Sequence, residues 1–132
     1  VRALSRIFDA SFLYQLGRIH MAMTPEAKVK KVVVKHLKSM GAYYFYPVTG
    51  GWGGSGVPDI VGCYKGKFFG IECKAGKNKP TSLQEKNLRD ISKADGIAVV
   101  INEDNMNDVG AILEGVNRLH DIPDPWSQWH EA

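Results

Sequence analysis

Val29, Val32, Val33, Leu37 and Met40 recur at three- and four-residue intervals, the stripe of an amphipathic helix. Thr24 suits its N-cap, Pro25 its first helical position, Glu26 the positive end of its dipole, and Gly41 its close. Lys28, Lys31, Lys35 and Lys38 line a different face. The period then shortens. A strand is predicted over 42–49, where Tyr43, Tyr44, Phe45 and Tyr46 point to both sides and are either covered twice or partly exposed for an interface. Two more strands are predicted over 57–64 and 67–74, rich in β-branched and aromatic residues, with Lys65-Gly66 as a two-residue hairpin turn. Helical spacing returns over 81–95. Thr81 with Gln84, and Ser82 with Glu85, both have capping-box spacing; Gln84 shares a stripe with Leu88 and Ile91, and Gly96 closes the helix. A buried strand is expected over 97–102. An amphipathic helix is expected over 106–119, with Met106, Val109, Ile112, Leu113, Val116 and Leu119 inward.

This order predicts an α/β sandwich, a central mixed β-sheet flanked by helices. The chain has 132 residues, 44% hydrophobic and 23% charged, which allows one domain with one modest core, placed at 24–120. No apolar run approaches the length of a bilayer span, so no membrane partner is expected. Residues 1–23 form a separate leader. Leu4, Ile7, Phe8, Phe12, Leu13, Leu16 and Ile19 recur at helical spacing there, and Arg2, Arg6 and Arg18 face one acid, Asp9, as in a transit peptide. An extension upstream of Met21 and Met23 is an equal reading. Residues 121–132, with Pro123, Pro125, Trp126 and Trp129, form a tail that packs on the body or on a partner.

The hairpin carries the candidate chemistry. If the turn pairs Tyr64 with Lys67, the register runs through Cys63 with Phe68 and Val61 with Gly70, and sets Asp59 opposite Glu72. Alternation then puts Glu72 and Lys74 on the face of Asp59. Two carboxylates directly opposed across strands repel, so a cation between them is the expected reason for the pair. Ligands that are all oxygen, few in number and with room for water suit Mg²⁺ or Mn²⁺. Gly70 is expected to clear space beside the carboxylates. Cys63 and Cys73 fall on opposite faces in this register, so no disulfide is expected and a cytoplasmic protein is read. His20, His36, His120 and His130 show no zinc-ligand spacing.

The net charge of +3 hides an asymmetry. Ten lysines stand against three acids over 24–80, and four basic residues against ten acids over 81–132. The basic half suits a phosphate-binding field. The candidate nucleic-acid contacts are Lys28, Lys31, Lys35, Trp52, Ser55, Lys77 and Lys79, with Trp52 placed to stack on an unpaired base. The glycine-rich run over 49–56 lacks the Gly-Lys-Ser/Thr end of a nucleotide-binding loop, which excludes an NTPase reading.

Pro58-Asp59 followed by Glu72-Cys73-Lys74 resembles the PD-(D/E)XK nuclease signature. The wider runs Gly54-Ser55-Gly56-Val57-Pro58-Asp59-Ile60, Ile71-Glu72-Cys73-Lys74-Ala75 and Leu83-Gln84 resemble the VRR-NUC branch, the virus-type replication-repair nucleases, over roughly 24–115. The resemblance implies a restriction-endonuclease-like sandwich and a Mg²⁺- or Mn²⁺-dependent DNA endonuclease that leaves a 5′-phosphate. Asp59, Glu72 and the backbone carbonyl of Cys73 would hold the metal, and Glu26 would help to complete a second metal site. Lys74 would orient the attacking water, and Gln84 would steady Lys74 or that water. It further implies a homodimer acting on branched or junction DNA in phage-type replication or repair, in the host cytoplasm if phage-encoded. A nucleic-acid-binding module that has kept the fold without the chemistry is the alternative.

Overall fold

The computed structural model describes residues 23–49 and 56–115; residues 1–22, 50–55 and 116–132, and with them the expected leader and tail, lie outside it. Helix α1 spans Pro25–Met40. The Thr24 hydroxyl accepts the Ala27 N–H at 3.1 Å, and Gly41 closes the helix in the left-handed conformation. Val29, Val33 and Leu37 are buried along one stripe, and Lys28, Lys31, Lys35 and Lys38 are exposed on the other side.

Four strands follow, β1 (Tyr43–Phe45), β2 (Ile60–Tyr64), β3 (Lys67–Cys73) and β4 (Ile97–Ile101), in the spatial order β1-β2-β3-β4. The first three are antiparallel and β4 runs parallel to β3, which makes the sheet mixed. Lys65 and Gly66 both take positive φ (49° and 80°), a type I′ turn that matches the strand twist. The turn fixes the expected register: Tyr64 pairs with Lys67, Cys63 with Phe68 and Val61 with Gly70. Cys63 and Cys73 are free thiols.

Helix α2 (Ser82–Lys93) connects β3 to β4 and packs on both. A 3₁₀ turn (Met106–Asp108) leads into helix α3 (Val109–Leu113), which packs with α1. Phe69, Ile71, Cys73, Val99 and Ile101 turn one face of the sheet into the core with Val29, Val33, Leu37, Val109, Ile112 and Leu113. The intervening residues Gly70 and Glu72 therefore face α2. Among the described residues no helix is long and apolar enough to cross a membrane.

Several expectations are corrected. The strand expected over 42–49 pairs only over Tyr43–Phe45: Pro47 has no N–H for the ladder, and the chain leaves the sheet before it. Of the two alternatives for its aromatics, partial exposure holds, with Tyr43 71% and Phe45 49% exposed and Tyr44 packed toward the core. The helix expected over 106–119 opens as a 3₁₀ turn and reaches a turn at Gly115 (φ 61°). No side chain caps it, because Asn105 is engaged by the Asn102 N–H and the Val100 carbonyl. Val116 and Leu119 lie outside the described residues. Helix α2 uses the Thr81–Gln84 capping box, not Ser82–Glu85, and the left-handed residue at its end is Asp95, not Gly96. The Gly96 N–H reaches the Ile91 carbonyl at 2.9 Å, completing a Schellman closure. Gly70 does not clear space beside the carboxylates. A Cβ there would lie 2.6 Å from Ile91 Cδ1 and 3.0 Å from Pro58 Cγ, so its absence lets α2 seat on the sheet.

Candidate active site

The approach to β2 and the start of α2 touch at Gly56. Its φ is +85°, and a Cβ there would lie 2.5 Å from the Leu83 carbonyl carbon and 2.7 Å from the Gln84 nitrogen. This contact holds the segment that carries Asp59 against the helix turn that carries Gln84. Gly56→Ala is expected to cost about 2 kcal/mol or more, from backbone strain and overpacking together. Urea unfolding checks it, and a midpoint equal to wild type would contradict the close approach.

Asp59 immediately precedes β2, and the hairpin register extended by one residue sets it opposite Glu72. Its Oδ2 accepts the Cys73 N–H at 2.9 Å. Glu72 is 1% exposed. Its Oε1 lies 3.3 Å from Lys74 Nζ and accepts Gln84 Nε2 at 2.5 Å, while its Oε2 is buried with no hydrogen-bond partner. Burial pushes the Glu72 carboxyl from 4.5 up to about 7; the neighbouring Asp59 charge pushes the same way, while Lys74 and, more weakly, the Asp59 backbone N–H oppose both.

Gln84 performs two tasks with one amide. Its Oε1 accepts the Thr81 N–H at 2.9 Å while the Thr81 hydroxyl accepts the Gln84 N–H, and its Nε2 donates to Glu72. Glutamate would satisfy the same capping box but would bring a third carboxylate against Glu72. Only an amide offers an acceptor to the helix end and a donor to the carboxylate. Gln84 therefore caps α2 and bonds Glu72, rather than Lys74, with the same amide.

Cys73 separates the two sides of this site. Its side chain is buried in the core, and burial first, then the charges of Asp59 and Glu72, push its thiol to about 12. Its sulfur lies in the core, on the sheet face away from Glu72, so its backbone and not its thiol is on the side of the carboxylates.

Asp59, Glu72, Lys74 and Gln84 are thus brought together. Glu26 stands on the first turn of α1, half-buried. Among the described residues, no group of three or more His, Cys, Asp or Glu side chains gathers into a metal-binding set. Lys28, Lys31 and Lys35 lie on the exposed side of α1, opposite the buried stripe. Lys77 and Lys79 lie on the exposed turn after Lys74, and Glu103 anchors that turn by accepting the Gly76 N–H through both carboxylate oxygens, at 3.0 and 3.2 Å. Trp52 and Ser55 fall outside the described residues. Sequence reasoning missed Glu103, which left no signal because its partner, the Gly76 N–H, belongs to a distant turn.

No protein-family model and no curated protein matches this chain. A solved structure described as a "VRR_NUC domain" is similar to it, with a TM-score of 0.57 and 19% identity, over 71% of this chain and 99% of that one. The chain has a VRR-NUC-like α/β fold.

Proposed function

We propose that this protein is a divalent-metal-dependent DNA endonuclease, acting preferentially on branched or junction DNA. The observation that supports it most is the state of the carboxylate pair. Asp59 is held through one oxygen and Glu72 through one, and the remaining Glu72 Oε2 is buried without a partner. A buried orphan acceptor beside a second carboxylate is costly alone and is satisfied by a hard cation. The donor set fits Mg²⁺ or Mn²⁺: Asp59, Glu72 and the Cys73 carbonyl, with Glu26 toward a second ion. When bound, such an ion polarises the scissile phosphate and acidifies a water.

The other roles belong to the chain's own side chains. Lys74 is largely buried, with its ammonium at Glu72 Oε1, so it enters the site with few alternative positions. It orients the attacking water and offsets the charge that develops on the phosphate oxygens. Gln84 fixes the Glu72 carboxylate and leaves Oε2 for the cation. Water adds to phosphorus, the bond to the 3′ oxygen breaks, and the 5′-phosphate stays on the product strand. Lys77 and Lys79, which follow Lys74, and Lys28, Lys31 and Lys35 on α1 supply contacts to the phosphate backbone. A two-fold pair of chains would present two such sites to two strands.

The test is a panel of four-way junction, flap, nicked and linear DNAs with Mg²⁺, Mn²⁺ or EDTA. Cutting that requires the metal and is fastest on branched DNA is expected. Binding without cutting of any substrate would favour the inactive module. Light scattering that gives a monomer mass with and without junction DNA would remove the two-fold pair.

A further inference from the structure

Helix α2 covers only part of its face of the sheet. It packs on β3 and β4, with Ile91 seated over Gly70. Toward the hairpin turn and the β1 edge the same face is open. Cross-strand pairing sets Tyr43, Cys63 and Phe68 in one row there, on the side opposite the core residue Phe69. Tyr43, Phe45, Cys63 and Phe68 are all exposed. The Tyr43 and Phe45 rings stand 6.4 Å apart. Phe68 also walls a groove of about 370 Å³, with Asn87, Asp90 and Ile91 of α2 on its other side. Large aromatic side chains grouped at the surface beside a groove mark a docking face.

Position and charge select its occupant. Glu114 accepts the Tyr64 hydroxyl at 3.1 Å, and its carboxylate lies 3.9 Å from Lys65 Nζ. These contacts hold the end of α3 at the hairpin turn, one residue pair from Cys63 and Phe68. Residues 116–132 therefore begin beside the open face. Eleven positions lead from Gly115 to Trp126, a reach of up to about 36 Å, and the row itself is only about 10 Å across. The segment carries Asp121, Asp124 and Glu131 against Arg118, while the turn presents Lys65 and Lys67, both exposed. The leader is the competing occupant, with an apolar stripe of its own. It is basic, with Arg2, Arg6 and Arg18 against Asp9, so the lysines of the turn repel it. It also enters at the far end of α1. That helix joins β1 at its Tyr43 end, and its 16 residues put the entry about 24 Å away.

We propose that residues 116–132 fold back over the open face, with Trp126 and Trp129 seated on the aromatic row and in the groove beside Phe68. Fully covered aromatic side chains bury about 150–250 Å² each. Only the short stretch from Trp126 to Trp129 need be fixed, which limits the entropy lost. The docking makes no use of the carboxylate site, so it stands apart from the nuclease reading. Cys63 lies beneath the docked segment and reports on it.

The experiment follows the reaction of Cys63 with a chromophoric disulfide in the full chain, with buried Cys73 as the slow reference. Trp126→Ala combined with Trp129→Ala is expected to speed the modification of Cys63 by on the order of tenfold. The two substitutions leave the charge of the segment unchanged, so the rate reads access and not the thiolate fraction. In a Trp52→Phe background only Trp126 and Trp129 emit. Tyr43→Ser should then move the emission to the red and raise its quenching by acrylamide. Equal Cys63 rates in wild type and the double variant would overturn the proposal. If the double variant loses its far-UV circular dichroism, Tyr43→Ser decides, and an unmoved emission maximum overturns it. Refolding the double variant together with a Cys63→Ser chain of intact tail tests a second copy. Cys63 protected again in that mixture would mean cover between chains and would overturn docking within one. Phe8→Ser with Phe12→Ser speeding Cys63, where the tail substitutions do not, would give the face to the leader instead.

Discussion

Glu72→Gln is expected to lower metal-dependent cleavage by on the order of a thousandfold or more, with the fold retained. The substitution changes charge and not volume. Its amide oxygen can still accept from Gln84, so the helix end stays where it is. What disappears is the negative charge at the buried oxygen that has no partner, and with it the hard ligand for the cation. Asp59→Asn should behave likewise, since an amide oxygen can still accept the Cys73 N–H. Neither variant should bind DNA less well in EDTA; removing a carboxylate from the path of a phosphate makes equal or tighter binding the expected result. Single-turnover cleavage and fluorescence anisotropy on the same preparations separate the two effects. Glu72→Gln cutting within tenfold of wild type would remove Glu72 from the mechanism.

The pairing of Asp59 with Glu72 was legible in the sequence because a two-residue turn fixes the phase of everything that follows it. Lys65-Gly66 leaves one register, and each residue's face comes with it. Helix α1 was legible because its cap, dipole acid, stripe and closing glycine all agree. Elsewhere local signals met competition from distant parts of the chain. Tyr43 to Thr49 has strand composition throughout, but Pro47 sets its limit and pairing with β2 uses three residues. Gly70 carries no mark of its function, because Ile91 and Pro58 come from other segments. Gln84 was half-readable: capping follows from spacing, whereas its bond to Glu72 needs α2 laid across β3. The lysines of α1 show the clearest gap. Their spacing marks Lys28, Lys31 and Lys35 as an exposed row, whereas the seat of Lys30 over the Tyr46 ring, at 4.6 Å, needs the strand after the helix folded back beside it.

Without metal, the thermal midpoint is expected to fall as pH rises from 6 to 8.5. The folded Glu72 carboxyl titrates at about 7, above the ordinary 4.5, chiefly because burial and then Asp59 disfavour its charged form. A folded pKa above the unfolded one means that the folded chain holds the proton more tightly. The stabilisation is complete below about 4.5 and is lost as pH rises through about 7. A difference of this size corresponds to about 3 kcal/mol between the two limits, or on the order of 10 °C in midpoint for a domain of this length. Comparison with Glu72→Gln removes titrations common to both proteins, and that variant should show the shallower slope and the higher midpoint at pH 8.5. Mg²⁺ or Mn²⁺ should reverse the order. A cation favours the ionised carboxylate, so wild type should gain stability with metal increasingly as pH rises past 7, and Glu72→Gln should gain little. Differential scanning calorimetry with EDTA and with Mn²⁺ at three pH values measures all of this. Equal slopes for the two proteins, together with no shift on adding Mn²⁺, would mean that the buried carboxylate neither carries the raised pKa nor meets the ion, and the pair opposite the hairpin turn would need another explanation.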